Sequence, residues 1–574
     1  MPLAARSPLV STSLLSVVLL FACATPNVRT APPESDGAPG KIPARLRGGG
    51  DGPASVEKAS EDTERSLLSL DSAGWTQFPA SSATRTVYVS SSLGNDTRTG
   101  LAPEAPVRTL AAGKARLLSG QAGRMLLRRG DTWQETLGQW RVGGRAADRP
   151  LVVGSYGEET ARPLLRTGTD GGLHTGAYGD SPARLRDVAF VGLHFQASGY
   201  DGEGMPAGVA WRLPTDRLLF EDCFFEGYGN NVVIEAVGGR SSDVRIRRCV
   251  IVDAFTTGDE HAQGLYLFGI DGLTIEECVI HHNGWRDRPD AQATIFRHNV
   301  YVQNGNRDVR VVGNLIAEAG SHGLQLRPGG EALDNLFVAN PISLMLGSKT
   351  ADDVQPVLAR DNVILDGRDI NAENPRGWGI EVASVPRGRI VNNLIAHRRA
   401  GGFPLAINVL TGDNPLGLHD LAVRENIVYR WGGPTFLNGT PARVSGLTLE
   451  RNELQDEDAE LLVQVVHAEL SGEITASENR LDLAGRPAST WIRLGPRTTS
   501  PEVWFEALHD KSSTRERVAY PAPERDLAGY AEALGIEGGR DGFLRAARGQ
   551  SRQSWRPELT ARAANRWLRA GFGR

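Results

Sequence analysis

The sequence predicts an all-β solenoid of stacked coils, each made of short strands, and three observations lead to this prediction. Strings of alternating apolar and polar residues recur along the chain, and each contains an Asn or Cys at the same place, 21 to 36 residues after the previous one. Two positions after each Asn or Cys the residue is always apolar. The apolar residues do not follow the 3.6-residue spacing of helical repeats. Because one coil cannot bury its own apolar face, about 10–12 coils are expected to stack into one core.

The repeated Asn or Cys position is predicted to form a ladder inside the solenoid. Stacked Asn side chains can hydrogen-bond from coil to coil at the strand spacing of about 4.8 Å. The ladder positions are Cys223, Cys249, Cys278, Asn314, Asn335, Asn362, Asn393, Asn426, Asn452 and Asn479, with Leu193 in the same place on an earlier coil. The three cysteines share one repeat position, so we expect small buried side chains there, with a strained bridge between adjacent coils as the alternative.

This pattern resembles the right-handed parallel β-helix superfamily, which includes pectate lyases and many polysaccharide-active proteins. The resemblance covers residues 85 to 483, and we place the β-helix at residues 84–485. The segment "VYVSSSLGNDTRTGLAPEAPVRTLAAG" is similar to the start of bacterial β-helix proteins, which implies a turn at Gly94-Asn95-Asp96 and a short helix after Thr109. Residues 486–574 resemble a short α-helical tail, which we expect to pack on the last coils and cover the open sheet edge.

The N-terminus has the features of an export signal. Residues 1–22 contain the apolar run "LVSTSLLSVVLLFA", and "LFAC" ending at Cys23 resembles the bacterial lipobox, in which the cysteine is lipidated. An ordinary secretory signal with a chance cysteine is the alternative. Residues 23–83 are rich in Pro, Gly and Ser and are predicted to be a flexible, disordered tether. We therefore expect an extracytoplasmic protein that is lipid-anchored to the bacterial cell envelope, at the outer membrane.

Four similar strings are predicted to be the same strand on different coils. They are "GLYL", "NVYV", "GLQL" and "GIEV". The third residue of each string should point outward in one column, with Ser343 as a further member. The outward column contains Tyr266, Tyr301, Gln325 and Glu381. His298 and His322, which are 24 residues apart, lie three positions before this column, and Gln303 and Arg327 lie two positions after it. Stacking is expected to bring these residues into one patch.

The composition of this patch suits a glycan that carries carboxylates. Aromatic rings cover the apolar faces of sugars, and an Arg side chain pairs with a carboxylate. Tyr266, Gln303, Gln325, Lys349 and Glu381 are the predicted substrate-binding residues. The resemblance to polysaccharide lyases of this fold implies three catalytic roles: His298 or His322 as the base, Tyr301 as the acid, and Arg327 as the cation that neutralises the uronate carboxylate.

Other functions are less well matched by the residues. The "GSHG" string precedes Asp352-Asp353, but the Asn-Thr-Asp and Arg-Ile-Lys strings of the similar polygalacturonases are missing, which argues against that hydrolase class. No cofactor is predicted; Ca²⁺ is possible near Asp259-Glu260 or Asp287 and Asp290, and zinc has no matching ligand spacing. A net charge of -5 without a basic stripe argues against nucleic acid, and we expect a monomer.

Two functions therefore stay open at this point. The first is a polysaccharide lyase that acts on an acidic glycan. The second is a non-catalytic lipoprotein that binds glycan or another cell-surface component, since a histidine at the start of a strand often only bonds a backbone carbonyl and a fold does not fix a function.

Overall fold

A computed structural model describes residues 68–82, 84–176, 184–351, 353–398, 401–412 and 414–574. The predicted signal peptide, the lipidation residue Cys23 and the predicted tether up to residue 67 lie outside the described residues. No helix in the described part of the chain is long and apolar enough to cross a membrane.

Three long sheets run along the molecule, and each coil adds one strand to each of them. The described residues form thirteen such coils, slightly more than the predicted 10–12, and every strand pair between coils is parallel. The predicted parallel β-helix is therefore confirmed. We number the sheets 1, 2 and 3 in the order in which a coil visits them.

Sheet 1 has 14 strands. They are Arg85–Val89, Gly123–Arg128, Leu151–Tyr156, Leu185–Val191, Thr215–Glu221, Ser241–Arg247, Ile270–Glu276, Arg307–Val312, Gly330–Leu333, Val357–Arg360, Gly388–Val391, Leu418–Arg424, Val444–Glu450 and Ile474–Ser477. Sheet 2 has 13 strands. They are Thr132–Trp133, Leu164–Arg166, His194–Gln196, Phe224–Glu226, Val250–Val252, Val279–His281, Leu315–Ala317, Leu336–Val338, Val363–Leu365, Leu394–Ala396, Ile427–Tyr429, Glu453–Asp456 and Arg480–Leu483.

Sheet 3 has 14 strands, the last of which pairs antiparallel. They are Gly138–Gln139, Leu173–His174, Ala207–Trp211, Asn230–Glu235, Ala262–Phe268, Arg297–Val302, His322–Leu326, Ile342–Gly347, Trp378–Ala383, Leu405–Leu410, Thr435–Asn438, Val463–Val465, Ile492–Leu494 and Arg497–Thr499. The last coil thus ends at Leu494, beyond the boundary of residue 485 that the sequence suggested. Short 3₁₀ helices lie at Pro441–Arg443, Ala468–Glu473, Ala488–Thr490 and Pro557–Leu559.

Five α-helices accompany the sheets. They are α1 (Leu110–Ala115), α2 (Pro501–Ala507), α3 (Leu527–Ala533), α4 (Gly539–Arg548) and α5 (Ala561–Ala570). Helix α1 begins directly after Thr109, whose side chain accepts a hydrogen bond from the backbone N–H of Ala112, as the sequence predicted.

The corner between sheets 1 and 2 is held by the predicted Asn ladder. Asn335 Oδ1 accepts hydrogen bonds from both the backbone N and the Nδ2 of Asn314, at 2.9 Å each. Asn335 Nδ2 donates to Asn362 Oδ1 at 3.0 Å and to Val311 O at 2.8 Å. The same bonds repeat from Asn362 to Asn479. Each side chain therefore satisfies backbone groups that the corner would otherwise leave unpaired.

The residue before each ladder position adopts a left-handed backbone conformation, which turns the chain sharply between sheets 1 and 2. Its φ lies between 49° and 66° on every coil from the one with Cys223 to the one with Asn479. These residues are Asp222, Arg248, Glu277, Gly313, Asp334, Asp361, Asn392, Glu425, Arg451 and Glu478. Such a conformation costs a non-glycine residue about 1 kcal/mol, and the ladder bonds offset this cost.

The three cysteines stand in the ladder as free, buried side chains, as the shared repeat position predicted. Cys278 Sγ accepts from the backbone N–H of Cys249 at 3.4 Å, and the Cys278 backbone N–H donates to Asn314 Oδ1 at 2.9 Å. The cysteine and asparagine parts therefore form one continuous column. Burial raises the pKa of Cys223 and Cys249 well above the ordinary thiol value, which makes these thiols inert.

Only part of the C-terminal tail covers the surface that was predicted. Helix α2 does pack at the end of the solenoid, where Trp504 and Phe505 join the main core. Helices α3, α4 and α5 lie instead along the outer face of sheet 2 and bury a second apolar cluster there. The reason is that sheet 2 strands such as Leu336–Val338 are apolar at every position, so both of their faces need cover.

Residues 68–82 are folded, although the sequence analysis placed them in the flexible tether. The Trp75 side chain is 2% exposed, and the Arg248 guanidinium lies 4.4 Å from its ring centre. The backbone N–H of Thr76 donates to the buried Glu221 carboxylate at 3.2 Å. One buried aromatic side chain thus docks a segment whose overall composition is polar.

Ion pairs join the tail to the corner between sheets 2 and 3. Asp253 accepts from Arg548 of α4 and from His282 Nδ1, the latter at 2.8 Å. Glu318 pairs with Arg540 of α4 at 3.5 Å and with His281 Nε2 of the solenoid at 3.0 Å. Hydrogen bonds from these partners and the nearby arginines outweigh burial and lower the pKa of both Asp253 and Glu318 to about 2.

Replacement of a central ladder residue is expected to destabilise the fold strongly. Asn362→Ala would remove the acceptor of the Asn335 backbone N–H and one hydrogen bond each from Asn335 Nδ2, Ala332 O and Asn393 Oδ1, so we expect the free energy of unfolding to fall by about 3 kcal/mol. Denaturant unfolding followed by circular dichroism measures the free energy of unfolding. Arg389→Ala, an exposed change on the next coil, should alter it by less than about 0.5 kcal/mol. Equal effects of the two substitutions would contradict the role of the ladder.

Acid is expected to weaken the attachment of the tail. The folded-state pKa values of Asp253 and Glu318 lie below their unfolded values. Their contribution to the free energy of unfolding is therefore present above about pH 5 and is lost as the pH falls toward 2. The thermal midpoint, measured between pH 7 and pH 3, should fall less steeply in Asp253→Asn than in the wild type. Asp420→Asn, at an exposed carboxylate, is the control and should keep the wild-type slope. An unchanged slope in Asp253→Asn would refute this account.

Candidate active site

The outer face of sheet 3 carries the column of outward residues that the repeats predicted. Tyr266 pairs in register with Tyr301, and Tyr301 with Gln325. Gln325 then pairs with Met345, and Met345 with Glu381. Leu265, Val300 and Leu324, the neighbours of the first three, are fully buried in the main core. The four predicted members are therefore aligned along one flank.

Ser343 is the member of the column that the sequence assigned wrongly. Met345 takes the outward place on that coil, where it is 2% exposed in a small apolar cluster with Ile342 and Ala383. Ser343 instead lies beside Gly323 of the previous coil. A Cβ added to Gly323 would come within 2.7 Å of Ser343 O. Ser343 and Met345 are two residues apart and would share a face in a regular strand, so the string "ISLML" does not tell which of them is aligned with Gln325, and only the register between coils decides.

Two consecutive inward residues bring the histidines onto the same face as the tyrosine. Asn299 and Val300 both point into the solenoid, so His298 and Tyr301 on either side of them both lie on the outer face. Asn299 accepts from Asn283 Nδ2 at 2.8 Å and donates to Ala317 O at 2.8 Å. These bonds belong to a second Asn ladder, which starts at Asn231 and was not recognised in the sequence. It fixes the strand start that carries His298.

The predicted catalytic residues lie in contact with one another. The ring centres of His298 and Tyr301 are 5.2 Å apart, and those of His298 and His322 are 4.9 Å apart. The Nδ1 atoms of the two histidines are separated by 3.2 Å. Tyr266 packs edge-on against Tyr301, with 5.4 Å between ring centres. The structure thus assembles the patch from three successive coils.

Arg327 and Gln303 surround the phenol of Tyr301. Gln303 Nε2 donates to Tyr301 Oη at 3.0 Å, and Arg327 Nη1 donates to Gln303 Oε1 at 3.4 Å. The Arg327 guanidinium carbon lies 5.0 Å from the centre of the Tyr301 ring. A donor and a cation beside the phenol both favour negative charge on its oxygen, so this arrangement suits an acid that releases a proton.

Both histidines are held in the neutral form. The His298 side chain is 3% exposed and that of His322 is 8% exposed. Burial lowers the pKa of each histidine well below 6.5, and nearby positive charge acts in the same direction. For His322 this charge comes from Lys349, Arg327 and Arg376. A neutral imidazole can accept a proton, which is what a general base requires.

Glu381 and Lys349 pair with each other at the next part of the column. Lys349 Nζ lies 2.9 Å from Glu381 Oε1, and Asn408 Nδ2 donates to Glu381 Oε2 at 3.1 Å. The Glu381 side chain is fully buried and that of Lys349 is 47% exposed. Glu381 therefore cannot touch a large ligand, contrary to the prediction, and it orients Lys349 instead. Gln325 is 5% exposed, and its Oε1 is buried without a hydrogen-bond partner in the described chain.

Arg297 organises the wall beside the histidines, a role that sequence reasoning missed. Its buried side chain donates to the backbone carbonyls of Gly258, Gln292 and Glu260, the last at 3.3 Å. These bonds connect the loops on two successive coils. The loops place Phe296, which is 37% exposed, and His261, whose Nδ1 lies 3.1 Å from Phe296 O. The 36-residue spacing from Cys278 to Asn314, the longest in the ladder, was the available signal for such a loop.

The acidic residues considered for Ca²⁺ do not converge. Asp259, Glu260 and Asp287 are exposed, and Asp290 pairs with Arg288 at 2.7 Å. Within the described ranges, no three His, Cys, Asp or Glu side chains are grouped so that they could hold a metal ion.

Comparisons with known proteins found similar solved structures at low sequence identity. No family model matches the chain, and no curated protein matches it. Similar solved structures include a mannuronic acid specific polysaccharide family 6 lyase from human gut microbiota, at 12% identity over 84% of this chain and 99% of that chain, with a TM-score of 0.39. Pectate lyase Pel9A matches at 14% identity over 69% and 79% of the two chains, with a TM-score of 0.34. PfbA, a surface adhesin of Streptococcus pneumoniae, matches at 11% identity over 65% and 85%, with a TM-score of 0.37. The function of this chain therefore has to be argued from the site.

Proposed function

We propose that this protein cleaves an acidic polysaccharide by β-elimination at the outer face of sheet 3. The observation that carries the proposal is the convergence of two neutral histidines, Tyr301 and Arg327 on the flank that the tail leaves uncovered. These groups match the base, the acid and the cation that the reaction needs.

The reaction assigns one step to each group. One of the two histidines takes the proton from C5 of the uronate, and the C5–H electron pair forms the C4=C5 double bond. The C4–O bond breaks, and the leaving oxygen takes the proton of Tyr301. Arg327 pairs with the uronate carboxylate, which withdraws charge from C5 and makes its proton more acidic.

The charges around the patch favour an anionic ligand. Arg327, Lys349 and Arg376 are close enough to His322 to lower its pKa, and the carboxylates beside them are Glu381, which pairs with Lys349, and Asp369, which acts on Arg376. Among the described residues, the Arg327 guanidinium is the cation of this group that no carboxylate pairs with. A glycan that carries carboxylates gains binding energy from the positive charge at the patch, and a neutral glycan does not.

Non-catalytic glycan binding is the second candidate, and one observation favours it. His298 and His322 are almost completely buried, and His298 Nδ1 accepts a hydrogen bond from the backbone N–H of His322 at 3.4 Å. A purely structural histidine pair would look similar. In that case Tyr266, Lys349 and Arg327 would hold an acidic glycan without cleaving it.

Product formation separates the two candidates. A panel of acidic polysaccharides incubated with the full chain should yield unsaturated products that absorb in the ultraviolet. His322→Ala, Tyr301→Phe and Arg327→Ala should each lower the initial rate by about 100-fold or more, because each removes one required role. His467→Gln, at an exposed histidine far along the chain, should keep the wild-type rate.

Two outcomes would overturn the proposal. Retained binding of acidic polysaccharides without any unsaturated product would exclude the lyase and leave the binding candidate. Equal binding of neutral and acidic polysaccharides would exclude the acidic substrate class.

We also propose that the chain is exported and anchored through a lipidated Cys23, with the β-helix outside the cytoplasm at the outer membrane. The "LFAC" string and the polar residues after it support this, because acyl chains on a cysteine hold a protein at a bilayer. Cells that express the full chain should incorporate labelled palmitate into it and keep it in the membrane fraction. Cys23→Ser should abolish both, Thr25→Ser should change neither, and a labelled Cys23→Ser chain would refute the anchor.

A further inference from the structure

The two histidines of the candidate site contact each other through the same ring atom. His298 Nδ1 and His322 Nδ1 are 3.2 Å apart, which is a hydrogen-bond distance. A neutral imidazole carries one proton on either Nδ1 or Nε2, and the other nitrogen is a bare acceptor. Only one of the two facing Nδ1 atoms can therefore hold a proton, and the surroundings decide which one.

The backbone settles the form of His298. The N–H of His322, which is always a donor, points at His298 Nδ1 with a donor–acceptor distance of 3.4 Å. A proton on His298 Nδ1 would face that N–H directly, so His298 Nδ1 must be the bare nitrogen. The proton of neutral His298 then lies on Nε2.

The form of His322 follows from that of His298. With His298 Nδ1 bare, a bare His322 Nδ1 would place two lone pairs 3.2 Å apart, which is repulsive. A proton on His322 Nδ1 instead donates to His298 Nδ1, and Ser321 Oγ, 3.1 Å away, is a second acceptor for it. The Nε2 of His322 is then the bare nitrogen.

Both Nε2 atoms are available to a ligand. Neither makes a hydrogen bond to a described residue, and neither belongs to the fully buried atoms that lack a partner in the part of the chain that the structure describes. The small exposed fractions of the two side chains, 3% and 8%, are therefore compatible with exposed Nε2 edges.

We propose that the two histidines have opposite roles in the reaction: His322 Nε2 is the base that takes the C5 proton, and His298 Nε2–H is a hydrogen-bond donor to the substrate. This inference rests on the proposed function. The C5 proton moves to His322 Nε2, the ring becomes an imidazolium, and its Nδ1–H remains bonded to His298 Nδ1. His298 keeps its own proton throughout. The bound uronate carboxylate supplies the negative charge that stabilises the imidazolium beside Lys349 and Arg327.

The tautomers can be read without any substrate. The full chain with ¹⁵N-labelled histidine should show, for His298, a bare Nδ1 and a protonated Nε2, and for His322 the reverse. Protonated and bare ring nitrogens differ in ¹⁵N chemical shift, and the spectra of His298→Gln and His322→Gln assign the two rings. A protonated Nδ1 on His298, or a protonated Nε2 on neutral His322, would overturn the inference.

Activity gives an independent second test. The amide nitrogen of Gln can replace an Nε2–H donor but cannot act as a base. His298→Gln should therefore lower the initial rate by less than about 10-fold, whereas His322→Gln should lower it by about 100-fold or more. His298→Asn, whose amide reaches only the Nδ1 position, should lose more activity than His298→Gln. The reverse ranking of His298→Gln and His322→Gln would contradict the inference.

The two failures can be told apart. If the spectra show the expected tautomers and no acidic polysaccharide is cleaved, the proposed function fails and the hydrogen-bond assignment stands. If unsaturated products form and the spectra show the opposite tautomers, the lyase stands and the assignment of the base fails.

Discussion

The register between successive coils depends on the bonds at one corner of the solenoid. A left-handed residue turns the chain there, and the Asn side chain that follows it satisfies backbone groups of the coil before and bonds the Asn side chain of the coil after. Because the side-chain period of a strand is two, a slip of one residue would reverse every inward and outward position. The ladder removes this freedom. It is therefore the condition for any ordered column on the outer faces, including the one that carries Tyr301.

The three flanks of the solenoid differ because their outward residues differ. Sheet 2 is apolar on its outer face, so helices α3 to α5 cover it. Sheet 1 carries charge pairs such as Arg217–Asp187 and Arg310–Glu331, which are stable in water. Sheet 3 holds aromatic rings, amides and the Arg327 guanidinium side by side, so its outer face is neither uniformly apolar nor uniformly charged. The candidate site lies on this flank because neither burial by the tail nor simple solvation satisfies those groups.

The sequence predicted a large part of the site, and the missing parts have a common cause. Tyr266, Tyr301, Gln325 and Glu381 were placed correctly because they repeat at the same position of successive coils. The pairing of Glu381 with Lys349, the outward place of Met345 and the role of Arg297 were not predicted. Each of these depends on a loop length or on the register between coils, and the repeat pattern leaves both undetermined.

The sequence by itself determined the coil, the ladder and the column, since all three follow from a short-range period that can be counted along the chain. Only the tertiary structure decided which flank the tail covers, that Trp75 docks residues 68–82, and that two histidines share one hydrogen bond through their Nδ1 atoms. The first two of these contacts join residues whose separation follows no repeat, and the third depends on ring orientations that the repeat does not specify. Their geometry depends on the three-dimensional path of loops and on shape complementarity, and neither leaves a periodic trace in the order of the amino acids.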